Sequence, residues 1–187
     1  MNTSWVWLGD HLAVDFANTV KVVDGRTVEL IGTREEFNSW YELVPAPLPH
    51  IDIRDSELVS LRTLRDVALR LLHAAAAGEA LDTEDVSSIN RTVRASSISR
   101  VLGATVGSTR LEAGDDFPAL AGVLASAVVD LLAQPNIANL AVCPAPDCGQ
   151  FFHRARPNQR WCSPGCGNRA RVDRHRHRRN SPSEDGR

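Results

Sequence analysis

The chain has 187 residues, 43% of them apolar, and a formal net charge of −2. That suffices for one domain core plus a small module, and the lack of any apolar run of about 18 residues excludes a membrane-spanning helix. The charge is unevenly placed: residues 1–142 sum to −8 and residues 143–187 to +6, an acidic body with a basic end, which points to a polyanionic partner at that end alone.

Residues 1–7 lack the basic region and long apolar core of a secretion signal, so the expected compartment is a reducing cytoplasm. Leu12, Val14 and Phe16 alternate with Ala13, Asp15 and Ala17, which reads as a strand or an early buried segment. Asp24-Gly25 is a turn signal that predicts a hairpin of 20–23 with 27–30. Thr33-Arg34-Glu35-Glu36 is a capping box, because the Thr33 hydroxyl can accept from the Glu36 N–H while Glu36 reaches back. The helix it opens carries Phe37, Trp40, Tyr41 and Val44, and Pro45, Pro47 and Pro49 end it.

A long helix is expected over 55–77. Leu58, Leu61, Leu64, Ala68, Leu71, Leu72 and Ala75 form its apolar stripe, with Arg62, Arg65, Asp66 and Arg70 mostly elsewhere and Gly78 closing it. Asp82 or Thr83 caps the next helix, which turns Val86, Ile89 and Val93 inward. Segments 98–102 and 109–112 read as a hairpin. Asp115 or Asp116 then caps the clearest helix, with Leu120, Val123, Leu124, Ala127, Val128, Leu131 and Leu132 in phase and Pro135 as its stop. These stripes are core. The connection 135–142 is too short for a free linker, so the C-terminal segment must dock on this body or on a partner subunit.

All four cysteines fall in the next stretch, as Cys143, Cys148, Cys162 and Cys166. Two close pairs separated by a short hairpin's length of chain suit tetrahedral zinc, at Zn–S distances of about 2.3 Å. The alternative is a pair of disulfides, disfavoured because no secretion signal accompanies them. Residues 143–149 suit a tight knuckle, 150–154 and 160–162 two short strands, and Ser163-Pro164 a capped helix start. The result is a treble-clef-like module with one structural zinc. Residues 169–179 continue the helix with six arginines and two histidines against one aspartate, and Arg171, Arg174, His175 and Arg178 share a face. Arginine donates two parallel hydrogen bonds to a phosphate or to guanine. The plainer alternative is a solvated basic tail. His153, Asn168 and His175 also stand in the order of a ββα-metal nuclease, but no neighbouring acidic or histidine pair supplies a catalytic cation, and four thiolates leave zinc no open position. The expectation is therefore not an enzyme.

Trp161-Cys162-Ser163 followed by Cys166-Gly167-Asn168-Arg169-Ala170 resembles the CGNR zinc finger, named for that tetrapeptide, and residues 12–20 are similar to the Leu-x-x-Asp-Phe-x-Asn-Thr opening of the ABATE domain that precedes it in the family. Many members have four residues between the last two cysteines, where this chain has three. Members are described as stress-induced transcriptional regulators, so the resemblance implies zinc and DNA binding.

The expected architecture is α+β: a mainly helical body with small strands over 1–140, a zinc finger over 141–180 and a disordered tail over 181–187. DNA contacts are expected from Asn168, Arg169, Arg171, Arg174, His175, Arg176, Arg178 and Arg179, with Asn168 and Arg169 equally able to hold the knuckle backbone. Asp15, Asn18, Thr19 and Trp40 either satisfy neighbouring backbone or line a site for an unknown small-molecule effector. One finger has a small footprint, which favours a homodimer. The competing class is a protein- or RNA-interaction module.

Overall fold

The computed structural model describes residues 11–180, with side chains as far as Arg176. The expected disordered tail at 181–187 lies outside the described residues. The first described element, α1 (Leu12–Ala17), is the early buried segment of the two expected readings, but it is a helix and not a strand. The alternation misled because Ala13, Asp15 and Ala17 are as buried as Val14 and Phe16, so no face of the segment looks outward. His11 caps it, its Nδ1 accepting from the Ala13 N–H at 3.2 Å.

Strands β1 (Val20–Val23) and β2 (Arg26–Glu29) pair antiparallel, with Val20 opposite Glu29 and Val23 opposite Arg26. Asp24 and Gly25 both take positive φ, 50° and 70°, as a two-residue primed turn requires. In α2 (Arg34–Leu43) the capping box forms as expected. The Tyr41 hydroxyl lies 3.1 Å from the carbonyl oxygens of Leu48 and Pro49, which ties the proline-rich connector to α2.

The long helix α3 (Asp55–Ala77) is followed by α4 (Thr83–Ala95), whose N-terminal amides are capped by Asp82. A second hairpin, β3 (Ile98–Leu102) with β4 (Thr109–Ala113), leads to α5 (Phe117–Leu132), capped by Asp116. The most apolar helix, α5, is the centre of the body: α1, α3 and α4 all pack against it. Phe16, Phe37 and Trp40 fill the space between α1 and α2, with ring centroids 5.9–6.0 Å apart.

After a short 3-10 turn (Ile137–Asn139), β5 (Leu140–Val142) pairs antiparallel with β6 (Phe151–His153), and α6 (Pro164–Asn180) closes the chain. The expected second strand at 160–162 is absent among the described residues. The partner of β6 is instead the segment before the first cysteine, so the cysteine knuckle forms the turn of the β5–β6 hairpin, closed by Cys143 N–H to Gln150 O at 2.8 Å. Residues 160–162 are drawn to the sulfur cluster, where the Cys162 N–H donates to Cys143 Sγ at 3.5 Å.

The finger docks on its own body. Strand geometry sends successive side chains to opposite faces, and β6 uses both. Phe151 enters the body core and meets His73 of α3 edge-on at 4.7 Å, while Phe152 packs with the cysteines. Burying a side chain of this size stabilises the docked state by about 1.5–3 kcal/mol.

Candidate metal centre and nucleic-acid interface

Four local devices bring the cysteines together. Cys143 follows the end of β5. Cys148 lies in a knuckle that Asp147 and Gly149 turn through positive φ, 55° and 68°. Cys162 precedes α6, and Cys166 sits in its first turn. Ser163 caps that turn by accepting the Cys166 N–H on Oγ at 3.2 Å, and Pro164 takes the first helical position, where its missing N–H costs nothing.

The four Sγ atoms all lie within 4.8 Å of one another. Three of the pairs are 3.4–3.6 Å apart, Cys148–Cys162, Cys162–Cys166 and Cys166–Cys148. A tetrahedron with Zn–S bonds of about 2.3 Å has edges of about 3.8 Å, whereas a disulfide is about 2.05 Å. The spacing fits a shared ion and not two disulfides. Cys143, Cys148, Cys162 and Cys166 would hold one zinc ion as thiolates. The small core around them, Ala141, Ala145 and Phe152 with Trp161 at its edge, is too small to fold without such a staple.

A family model of the ABATE domain, described as "Putative stress-induced transcription regulator", matches residues 10–135, and one of the CGNR zinc finger matches residues 139–179. The chain belongs to the ABATE family. No curated protein matches it.

Each residue of the CGNR tetrapeptide has a visible task. Cys166 is a ligand. Gly167 leaves room for Trp161, since a Cβ there would sit 3.0 Å from the indole Cδ1. Asn168 is exposed, and its Oδ1 accepts from Arg171 Nη1 at 2.8 Å. Arg169 reaches back over the knuckle, with Nε donating to Pro146 O at 3.2 Å and Nη2 to Cys166 Sγ at 3.1 Å. A guanidinium beside a thiolate offsets part of the negative charge of a four-sulfur zinc site and orients the ligand. Arg169 therefore braces the CGNR finger from within.

Farther along α6, Arg171, Arg174, His175 and Arg176 are exposed, while Ala170 is buried against the finger. Arg174 Nε donates to Ala170 O at 3.2 Å. Arg178 and Arg179 belong to α6, and their side chains lie outside the described residues. The ABATE body neutralises many of its arginines internally: Arg34, Arg54, Arg65, Arg70, Arg100 and Arg110 each pair with a carboxylate. Among the described residues Arg171 and Arg174 form no such pair.

The ABATE opening supplies the joint between body and finger. Asn18 is buried and sits against the outer edge of β6, where its Oδ1 accepts the Phe151 N–H at 2.8 Å and its Nδ2 donates to Phe151 O at 3.0 Å. The amide thus stands in for a neighbouring strand. Thr19 donates from Oγ1 to Phe16 O at 2.7 Å and accepts from Arg65 Nη1 at 3.2 Å. Asp15 is buried in α1, and Trp40 lies within the aromatic cluster with its Nε1 unbonded among the described residues.

Sequence reasoning missed Arg65. It belongs not to the solvent side of α3 but to its buried side, at 3% exposure, and forks onto Glu29 at 2.6 and 2.7 Å. Its signal was its phase, four residues after Leu61 and seven before Leu72. Burial works against ionising Glu29, but the hydrogen bond and charge of Arg65 outweigh it and hold the carboxyl below its ordinary value. The pair fixes β2, and the β1–β2 hairpin in turn grips the knuckle. Val22 N–H donates to Cys148 O at 3.2 Å, Asp24 N–H to Asp147 Oδ1 at 2.7 Å, and Gln150 Nε2 to Val20 O at 2.7 Å.

Proposed function

We propose that this protein is a zinc-dependent DNA-binding transcription regulator of the cytoplasm, whose ABATE body receives a signal and whose CGNR finger engages the duplex. One observation carries the reading: α6 leaves a fixed four-sulfur anchor with exposed arginines that no carboxylate of the described residues neutralises. Exposed guanidinium groups in helical phase suit phosphates first and base edges second. Arg171, Arg174, His175 and Arg176 are the expected contacts, with Arg178 and Arg179 beyond them, while Asn168 positions Arg171.

The zinc is structural in this reading, because four thiolates fill its tetrahedron and leave no place for a substrate water. The protein is accordingly a binder and not a catalyst. One finger covers little DNA, so two copies on a symmetric site would supply the affinity. A small molecule held by the body near Asp15, Asn18, Thr19 and Trp40 would have a short route to the finger through the Asn18–Phe151 bonds.

The test is selection of bound fragments from a genomic duplex library, with zinc-loaded and zinc-stripped protein side by side. The expected result is a recurrent motif recovered with zinc and lost without it. Failure to retain any duplex would overturn the reading and turn α6 into a docking surface for RNA or an acidic protein.

A further inference from the structure

The loop 154–161 joins β6 to the start of α6 and carries Arg154, Arg156 and Arg160 with no acidic residue. None of these three side chains forms an ion pair among the described residues. The loop is held in shape from within: Ala155 N–H donates to Gln159 Oε1 at 2.9 Å, Gln159 Nε2 to Trp161 O at 3.1 Å, and Gln159 N–H to Arg156 O at 3.0 Å. Its base is fixed by Arg154 N–H to Asn139 O at 2.9 Å.

Arg160 is further organised. Its guanidinium lies over the Trp161 ring, 5.5 Å from the centroid, and that ring rests against Gly167 of α6. Stacking limits the freedom of the long, solvent-exposed side chain, so less entropy is lost when an anion binds. Two cavities of about 360 and 370 Å³ flank the segment and share Asn158, Gln159 and Arg160 as walls, with Arg154 lining one of them.

The geometry points to a two-part grip on DNA: the loop 154–161 clamps the phosphate backbone beside the N-terminal end of α6 through Arg154, Arg156 and Arg160, while Arg171 and Arg174 hold it farther along the helix. This rests on the duplex-binding reading of α6. Ten residues of helix separate Pro164 from Arg174, about 15 Å at 1.5 Å per residue. One DNA strand places about four phosphates in that rise. A helix alone would reach the backbone at one end and leave its entry angle free. A cationic loop braced on the zinc core fixes that angle. Phosphate is the chemistry the loop suits, because its donors are guanidinium groups and none of its side chains is a carboxylate.

The experiment is fluorescence-anisotropy titration of the full zinc-loaded chain with a mixed-sequence 20-base-pair duplex, between about 50 and 300 mM NaCl. Each phosphate contact contributes about −0.9 to the slope of log K against log salt. The triple variant Arg154→Ala/Arg156→Ala/Arg160→Ala should flatten that slope by about 2–3, and the matching triple lysine variant should keep it. Arg171→Ala/Arg174→Ala should flatten it by about 2 on its own. These side chains are exposed or half-exposed, and the variants should retain one zinc per chain and the wild-type circular dichroism. A wild-type slope in the loop variant, beside a flattened one in the helix variant, overturns the two-part grip and leaves the α6 reading standing. An unchanged slope in both variants, or no duplex binding by the wild type, overturns both. Tighter binding to a single-stranded RNA of equal length than to the duplex would refute DNA as the partner of this loop.

Discussion

Asn18→Ala tests the joint between body and finger. The side chain makes two hydrogen bonds to one residue, 2.8 Å to the Phe151 N–H and 3.0 Å to its carbonyl oxygen, both away from water. Neither Phe151 group can turn to β5, because the pairing on that side runs through Gln150 O and Cys143 N–H. Alanine would leave a buried donor and a buried acceptor unsatisfied, each costing about 1–3 kcal/mol. The expected loss is about 2–6 kcal/mol, a large part of the 5–15 kcal/mol typical of a whole domain. The assay is urea unfolding followed by far-ultraviolet circular dichroism at fixed zinc, together with the rate of zinc transfer to a chromophoric chelator. Unfolding should shift to lower urea and zinc should leave faster, because Cys148 and Gln150 lie next to the strand that comes loose. A loss below about 0.5 kcal/mol with an unchanged transfer rate would refute the claim that this amide holds the finger to the body.

Cys148→Ala should lower bound zinc well below one per chain by elemental analysis and remove the finger's ordered amide signals, while the helical body keeps its circular dichroism; full zinc retention would rule out the four-cysteine set. Arg169→Ala should speed zinc release at least several-fold and leave the salt dependence of DNA binding nearly unchanged, since its guanidinium faces Cys166 Sγ and Pro146 O; a flattened salt slope would instead make it a phosphate contact. Acid should also loosen the joint. The Glu29 carboxyl titrates below its ordinary 4.5 in the folded state, so the stability it contributes is present above pH 4.5 and is lost as pH falls through the folded value. Urea midpoints between pH 3 and 6 should show a smaller fall in Glu29→Gln than in the wild type, and equal falls would count against the Arg65 pair.

The zinc module was legible because its chemistry is written in residue type and spacing. Four cysteines and a Ser-Pro helix start state their roles locally, and the later helices announced themselves by caps and apolar phase. Leu12–Ala17 did not: a short segment buried on every side has no exposed face, so its period carries no information about helix or strand. The strand partner of β6 was misassigned for a related reason. Three residues before the knuckle are too few to show a pattern, and hydrogen bonds across the knuckle select them.

By itself the sequence determined helices α2 to α6, both body hairpins and the close grouping of the four cysteines, since each depends on contacts among near neighbours. Only the tertiary structure decided that Arg65 is buried on Glu29, that Asn18 completes the edge of β6 across 133 residues, and that Arg169 braces a sulfur. A polar side chain does not reveal its partner by its own identity. Its role is settled by which unsatisfied backbone group or charge the fold brings within about 3 Å of it.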